Sequence, residues 1–225
     1  MLFRSVLDRF GRVLYLCVGS AYTGNYDAVM GWKRENDPEG RLTVIDSATA
    51  SGRLGIVAIA TALFSRGKNS PEAVASFARR AIKEAREYVF LDRLRYLAAG
   101  GRLSRTGTIL GEALRLKPVI CPEGEGAKMV GKARTRTDQL EFALKRLAEN
   151  LPRDSNPFIM LEYSDNGPWV KKVPMEEIGN RYPNALIRLQ PLSLTSGAHM
   201  GPGTWAIAYL PESFMPASFP EWSYP

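Results

Sequence analysis

The stretch Arg12-Val13-Leu14-Tyr15-Leu16-Cys17-Val18-Gly19-Ser20-Ala21-Tyr22-Thr23-Gly24-Asn25-Tyr26 decides how the chain is to be folded. Its first half is an unbroken apolar run rich in β-forming residues, the pattern of a strand covered on both faces in a parallel sheet. Its second half breaks into glycine and hydroxyl residues, and a helical stretch to about Asn36 follows. The same order then repeats. After the turn cluster Asn36-Asp37-Pro38-Glu39-Gly40, Leu42 to Ile45 predicts a second strand. Asp46-Ser47-Ala48-Thr49-Ala50-Ser51-Gly52 forms a second polar loop, and Arg53 to Arg66 an apolar helix. Ser70-Pro71 opens a third helix with an N-cap and a proline at the first helical position. In that helix Val74, Phe77, Ala78, Ala81, Ile82 and Ala85 recur at helical spacing and mark one buried face. A βαβα order implies right-handed crossovers and parallel strands. Both polar loops therefore fall at carboxyl ends of strands and helix N-termini, where free N–H groups and the helix dipole favour anions. Ser20 and Ser47 read either as ligand-binding hydroxyls or as simple helix caps.

From Val89 onward the pattern changes. Gly100-Gly101-Arg102 presents an arginine on a glycine pair, from which its planar fork of donors can clamp a carboxylate or phosphate or pair with a surface acid. Leu114 to Cys121 is strand-like with Pro118 inside it, which points to an edge or a bulge. Thr137 to Leu151 carries Leu140, Leu144, Leu147 and Leu151 on one side of a helix. Phe158 to Tyr163, Ala185 to Leu189 and Trp205 to Leu210 read as further strands, so this half is an α/β unit with a mixed sheet. The expected division is a partial α/β domain over 1–86 and a second α/β domain over 87–225, with Pro211 to Pro225 as an extended strap. Between the last two strands, Ser193-Leu194-Thr195-Ser196-Gly197-Ala198-His199-Met200-Gly201-Pro202-Gly203-Thr204 surrounds the chain's single histidine with hydroxyls and glycines. Glycines permit close backbone approach, and a histidine exchanges protons near neutral pH. The plain alternative is a turn with one hydrogen-bonded histidine.

Composition sets outer limits. The 225 residues, 45% of them hydrophobic, suffice for a real core. The formal charge of +7 comes from scattered lysines and arginines. No basic block, zinc spacing or aromatic RNA-binding signature accompanies them, so nucleic acid and a metal are not expected. A basic surface suits an acidic partner or an anionic ligand equally well. Cys17 and Cys121 lie far apart in apolar runs and read as buried thiols in a reducing, cytoplasmic compartment. No apolar run is long enough for a membrane span.

With these residues in view, the chain resembles the DegV family of fatty acid-binding proteins. Gly19-Ser20-Ala21-Tyr22-Thr23-Gly24-Asn25-Tyr26 is similar to the family's Ser-Ser-x-Leu-Ser-Gly-Thr-Tyr. Val44-Ile45-Asp46-Ser47 with Ala50-Ser51-Gly52 is similar to its Asp-Ser-x-x-x-Ser motif. Leu94-Arg95-Tyr96-Leu97-Ala98-Ala99-Gly100-Gly101-Arg102-Leu103-Ser104 resembles Leu-x-Tyr-Leu-x-x-Gly-Gly-Arg-Ile-Ser. Gly111 to Val119 with Gly131-Lys132-Ala133-Arg134 resembles the Leu-x-Ile-Lys-Pro-Ile and Gly-Lys-x-Arg region, and His199-Met200-Gly201-Pro202-Gly203 the His-x-Gly-Pro-Gly signature. The segments stand in family order.

The resemblance implies a two-domain fold with a long acyl chain as ligand and no other cofactor. Its carboxylate would be held by Ser20, Arg102 and His199, with Thr23, Ser47, Gly101 and Gly201 as secondary contacts. It also implies a non-catalytic role: the lipid is presented to an ATP-dependent, dihydroxyacetone-kinase-like subunit that makes an acyl phosphate. The family's opening section, with a Thr-Asp-Ser strand and a Thr-Ser-Gln-Pro loop, has no counterpart here. The expectation is therefore a piece of a longer protein or a shortened member, with missing strands supplied by a homodimer or a partner chain. Two other classes remain: a hydrolase or transferase using Ser20 and His199, for which no Gly-x-Ser-x-Gly elbow is present, and a structural or regulatory module without lipid.

Overall fold

A computed structural model describes residues 2–102 and 116–215. Ser104, Gly111 and Leu114 of the motifs above, and the tail beyond Met215, lie outside the described residues.

The first unit is a pair of parallel strands, β1 (Val13–Cys17) and β2 (Leu42–Asp46), in register from Val13 opposite Leu42 to Cys17 opposite Asp46. Helices α1 (Leu2–Phe10) and α2 (Asn25–Asn36) pack with them. Leu7, Val29 and Leu42 form the buried centre, ringed by Phe3, Val13, Tyr15, Trp32 and Val44. The parallel pairing is the one expected from the repeated strand-loop-helix order.

The second unit is a six-stranded sheet. Its strands are β3 (Arg86–Phe90), β4 (Lys117–Glu123), β5 (Gly126–Ala133), β6 (Phe158–Tyr163), β7 (Leu186–Pro191) and β8 (Trp205–Leu210), in spatial order β5-β4-β3-β8-β6-β7. Only β6 and β7 run parallel, so the sheet is mixed. Pro118 sits in β4 next to a register shift between Val119 and Ile120, the bulge that a residue without an N–H calls for. Two of these strands carry too little signal to be read from sequence. β5 is an edge strand built on small residues and lysines, Gly126, Lys128, Gly131 and Lys132, a composition that protects an open edge but hides the strand. β3 has an acid, Glu87, at an inward position.

The central strand β8 shows how the layers form. Trp205, Ile207 and Tyr209 alternate onto one face, where α6 (Arg136–Asn150), α7 (Gly167–Lys172) and α8 (Pro174–Arg181) bury Leu144, Leu147, Val170 and Ile178 against them. Trp205 stacks on Phe90 at 4.1 Å and donates its indole N–H to Gln139, whose amide in turn donates to Leu91 O, so the polar groups of these two side chains are paired. Ala206, Ala208 and Leu210 point to the other face, where Ala208 and Leu210 lie under α3 (Ser51–Ser65) and α4 (Pro71–Glu84). Small residues on both sides bring α3 close: a Cβ on Gly52 would lie 3.1 Å from that of Ala208. The expected boundary at 86/87 falls inside β3, after its first residue Arg86, and α3, which precedes it in the chain, rests on the six-stranded sheet. The remaining part of that face carries α5 (Arg95–Ala99) and α9 (Leu194–Met200), which bury Leu94, Leu97 and Met200 against Val89, Ile120 and Ala206.

Candidate functional site

A groove of about 930 Å³ opens where the two units meet. Leu16 and Val18 come from β1 and its exit, Leu54 and Gly55 from α3, Leu97 from α5, Ile120 and Pro122 from β4, and Met200 from α9. Arg102, His199, Thr23, Asn25, Ser193 and Ser196 are polar members of the same lining. The groove is within the usual size of ligand pockets, roughly 300–1,000 Å³, and combines an apolar wall with a few convergent polar groups, as such pockets do.

Two of the motif segments are interlocked here. Gly100 follows α5 with helical φ −73°, and a Cβ built on it would collide with the His199 imidazole, coming closest to Nδ1. Conversely, a Cβ on Gly201 would run into the ring of Tyr96, and Gly201 has φ +80° as the cap of α9. Each helix thus offers a bare glycine to a ring from the other. Arg102 Nη1 donates to Gly100 O, and Arg102 O accepts from Ala127 N at 2.9 Å. Gly100 therefore sets the positions of both the guanidinium and the imidazole. Gly101 has φ +67° and open space where a Cβ would be, so it serves the turn rather than a contact. The expected loop around His199 is helical, because Ser193 Oγ caps Ser196 N at 3.1 Å and α5 packs against the resulting turn. On its other side His199 borders a shallower surface depression with Arg95, Tyr96, Ala99, Gly100 and Ala198.

The loops after β1 and β2 frame the opposite wall. Gly19 packs so tightly that a Cβ would lie 2.7 Å from Thr49 N, and Gly19 N donates to Thr49 O at 2.7 Å. A serine here would force the two loops apart. Thr23 Oγ1 accepts from Asn25 N at 3.1 Å, and Tyr15 OH donates to Asn25 Oδ1 at 3.0 Å, so both polar side chains are held at the start of α2. Tyr22 OH donates to Glu123 O at 2.8 Å and accepts from Glu123 N at 2.7 Å, tying this loop to the β4–β5 hairpin. Ser20 is exposed, outside the groove lining, and its backbone N–H donates to Asp46 Oδ1 at 3.2 Å. Ser47 is buried inside its own turn, with Oγ donating to Thr49 O at 3.2 Å. Of the residues named from sequence, the structure brings Arg102, His199 and Thr23 into the lining and leaves Ser20, Ser47, Gly101 and Gly201 outside it.

Sequence reasoning overlooked a carboxyl pair. Glu87 and Glu162 stand opposite Ala208 and Ala206 on either side of β8, facing the start of α3. Glu87 accepts from Gly52 N at 3.3 Å and Arg53 N at 3.1 Å. Glu162 accepts from Ser51 Oγ at 3.0 Å and Gln190 Nε2 at 3.3 Å, and it lines the groove with Ser51 and Gln190. Burial, reinforced by the charge of Glu162, pushes the Glu87 carboxyl well above the usual range, and burial raises Glu162 as well. Burial thus disfavours the charged form of both carboxyls. Ser51 holds φ +50°, a strained value for a residue with a Cβ, and thereby presents its hydroxyl to Glu162. The signal was an acid at an inward position of the strand Phe158 to Tyr163.

Among the described residues no group of three or more His, Cys, Asp or Glu is arranged to hold a metal. No helix of theirs is long and apolar enough to cross a membrane.

Compared with known families, residues 1–212 match the one described as "Uncharacterised protein, DegV family". A DegV domain-containing protein of Streptococcus pyogenes serotype M1 is 28% identical over 200 residues, spanning 87% of this chain and 68% of the relative. One from Clostridium perfringens is 24% identical over 208 residues, 91% of this chain and 71% of the relative. Among solved structures, a DegV family protein from Thermus thermophilus, described by its fatty acid binding, superposes with TM-score 0.85 at 23% identity, covering 93% of this chain and 74% of that one. DegV of Bacillus subtilis, described as a fatty acid binding protein, superposes with TM-score 0.81 at 22% identity, covering 93% and 74%.

Proposed function

This chain belongs to the DegV family, and we propose that its groove binds a long-chain fatty acid with the carboxylate at Arg102 and His199. The observation that carries the reading is the placement of these two side chains against one glycine, Gly100, in the lining of an otherwise largely apolar groove of about 930 Å³. Arg102 supplies fixed charge and paired donors, and His199 a further donor. Thr23 and the hydroxyls of Ser193 and Ser196 stand in the same lining, in the role that sequence similarity assigned to Ser20. The apolar wall carries most of the affinity. Each methylene buried contributes about 0.8 kcal/mol, so ten contribute about 8 kcal/mol, against about 1.5–3 kcal/mol for a hydrogen bond to a charged group. A DegV family protein from Eubacterium eligens loaded with heptadecanoic acid and a protein from Eubacterium ventriosum described as stearic acid-binding support this ligand class.

In this reading the protein is a binding protein rather than an enzyme. It presents the carboxylate to a cytoplasmic ATP-dependent kinase subunit, which makes the acyl phosphate. The surface depression on the outer side of His199 gives a partner access to the residue that holds the head group. Among the described residues β1 and β2 each keep an open edge, where a second copy or a partner chain can add strands.

Native mass spectrometry of freshly purified protein, followed by extraction, tests the ligand. A stoichiometric long-chain fatty acid is expected. A bare protein that also fails to take up added fatty acid overturns the reading. With a kinase subunit supplied, Arg102→Ala should abolish phosphorylation of the lipid, and unchanged turnover removes Arg102 from the role.

A further inference from the structure

A saturated acyl tail makes no use of one part of the groove wall. Ser51, Glu162 and Gln190 form a linked polar patch in the lining, with hydrogen bonds of its own that involve neither Arg102 nor His199. Glu162 is only 2% exposed. A carboxylate offers about four acceptor sites. Ser51 Oγ takes one at 3.0 Å and Gln190 Nε2 another at a long 3.3 Å. The Gln190 amide has a second N–H to donate. The patch can therefore both accept and donate one more hydrogen bond towards a ligand.

What reaches it is the chain of the ligand and not its head. The guanidinium of Arg102 attracts a carboxylate, whereas the patch of Ser51, Glu162 and Gln190 offers it no cation. Methylenes laid over Ser51, Glu162 and Gln190 would strip water from these groups and return no hydrogen bond. A hydroxyl on the chain returns both, its O–H donating to Glu162 and its oxygen accepting from Gln190. Taking the fatty acid reading above as its basis, we propose that the preferred ligand class is a long-chain hydroxy fatty acid, with Glu162 and Gln190 as the residues that select the chain hydroxyl.

The test is calorimetric titration of delipidated protein with stearic acid and with 3-, 10- and 12-hydroxystearic acid. At least one hydroxystearate is expected to bind tenfold or more tightly than stearate. Gln190→Leu and Glu162→Gln are each expected to lose that preference, and Gln190→Leu to bind stearate more tightly than the parent protein does. Gln190 is half-buried and its substitution spares the core, so its folding can be checked by circular dichroism. If stearate binds and every hydroxystearate binds no better, the selectivity proposal falls while the fatty acid reading stands. A preference that survives in both variants also overturns it. No binding of any acyl chain overturns the fatty acid reading itself, and this inference with it.

Discussion

Replacing Gly100 by alanine is expected to leave the fold intact and cripple ligand binding. The backbone at Gly100 is helical, φ −73° and ψ −9°, so an alanine incurs no conformational penalty and gains up to about 1 kcal/mol of helix propensity. The added methyl, however, would stand 3.2 Å from His199 Cε1, 3.4 Å from Cγ and nearer still to Nδ1, inside the 3.5–4.0 Å at which carbon atoms pack. The half-buried imidazole is the part that can give way, by about 1 Å, and it leaves its place beside Arg102. Losing one hydrogen bond to a carboxylate costs about 1.5–3 kcal/mol, or roughly a 10- to 150-fold weaker Kd. Gly101→Ala is the control. It has φ +67° and nothing within 4 Å of its Cβ, so it should lower stability by about 1–2 kcal/mol through backbone strain alone. Displacement of a fluorescent fatty acid reports affinity, and thermal unfolding reports stability. A folded Gly100→Ala protein with unchanged affinity would refute the claim that this contact positions His199 for the ligand.

Gly201→Ala combines both penalties, a left-handed φ of +80° and a methyl driven into the Tyr96 ring. A loss of roughly 3 kcal/mol follows from overpacking plus strain, seen as a melting temperature lower by about 6–12 °C. The Glu87–Glu162 pair makes stability depend on pH. The folded Glu87 carboxyl titrates above its unfolded value, so its contribution is fully present below the unfolded value and is lost as pH rises through the folded one. Denaturant midpoints should fall as pH rises above the ordinary carboxylate range, and Glu87→Gln, which carries a permanent donor, should flatten that slope; an equal slope in the variant argues against Glu87 as its source. Burial raises both the Cys17 and Cys121 thiols to about 11. At pH 8 the thiolate fraction is then on the order of one in a thousand, and alkylation by iodoacetamide should wait for denaturant; rapid labelling of the native protein contradicts that burial.

Much of the fold was legible because local pattern and burial agree. The apolar run Val13 to Cys17 and its repeat at Leu42 predict parallel strands, and they pair in parallel. Ser70-Pro71 predicts a capped helix, and Ser70 Oγ accepts from Ala73 N. The failures have physical causes. β5 is an edge strand of glycines and lysines whose hydrogen bonds come from β4, so its own residues carry little strand signal. The segment Leu194–Met200 contains a glycine and reads as a turn, yet one side-chain cap and the packing of α5 make it a helix.

The site divides in the same way. Sequence alone singled out polar groups that line the groove: Arg102 on its glycine pair, His199 among hydroxyls, Thr23 at a helix start. Residue type and local glycine content are properties of the chain itself. Tertiary structure decided which of them meet. Arg102 and His199, far apart in sequence, converge because Gly100 has no side chain and Gly201 leaves room for Tyr96. Ser20 turns outward because its backbone is bonded to Asp46. The raised carboxyls of Glu87 and Glu162 arise because the sheet sets two acids on either side of β8 and α3 covers them. Such proximity is set by strand register and layer packing, and no local stretch of sequence encodes it.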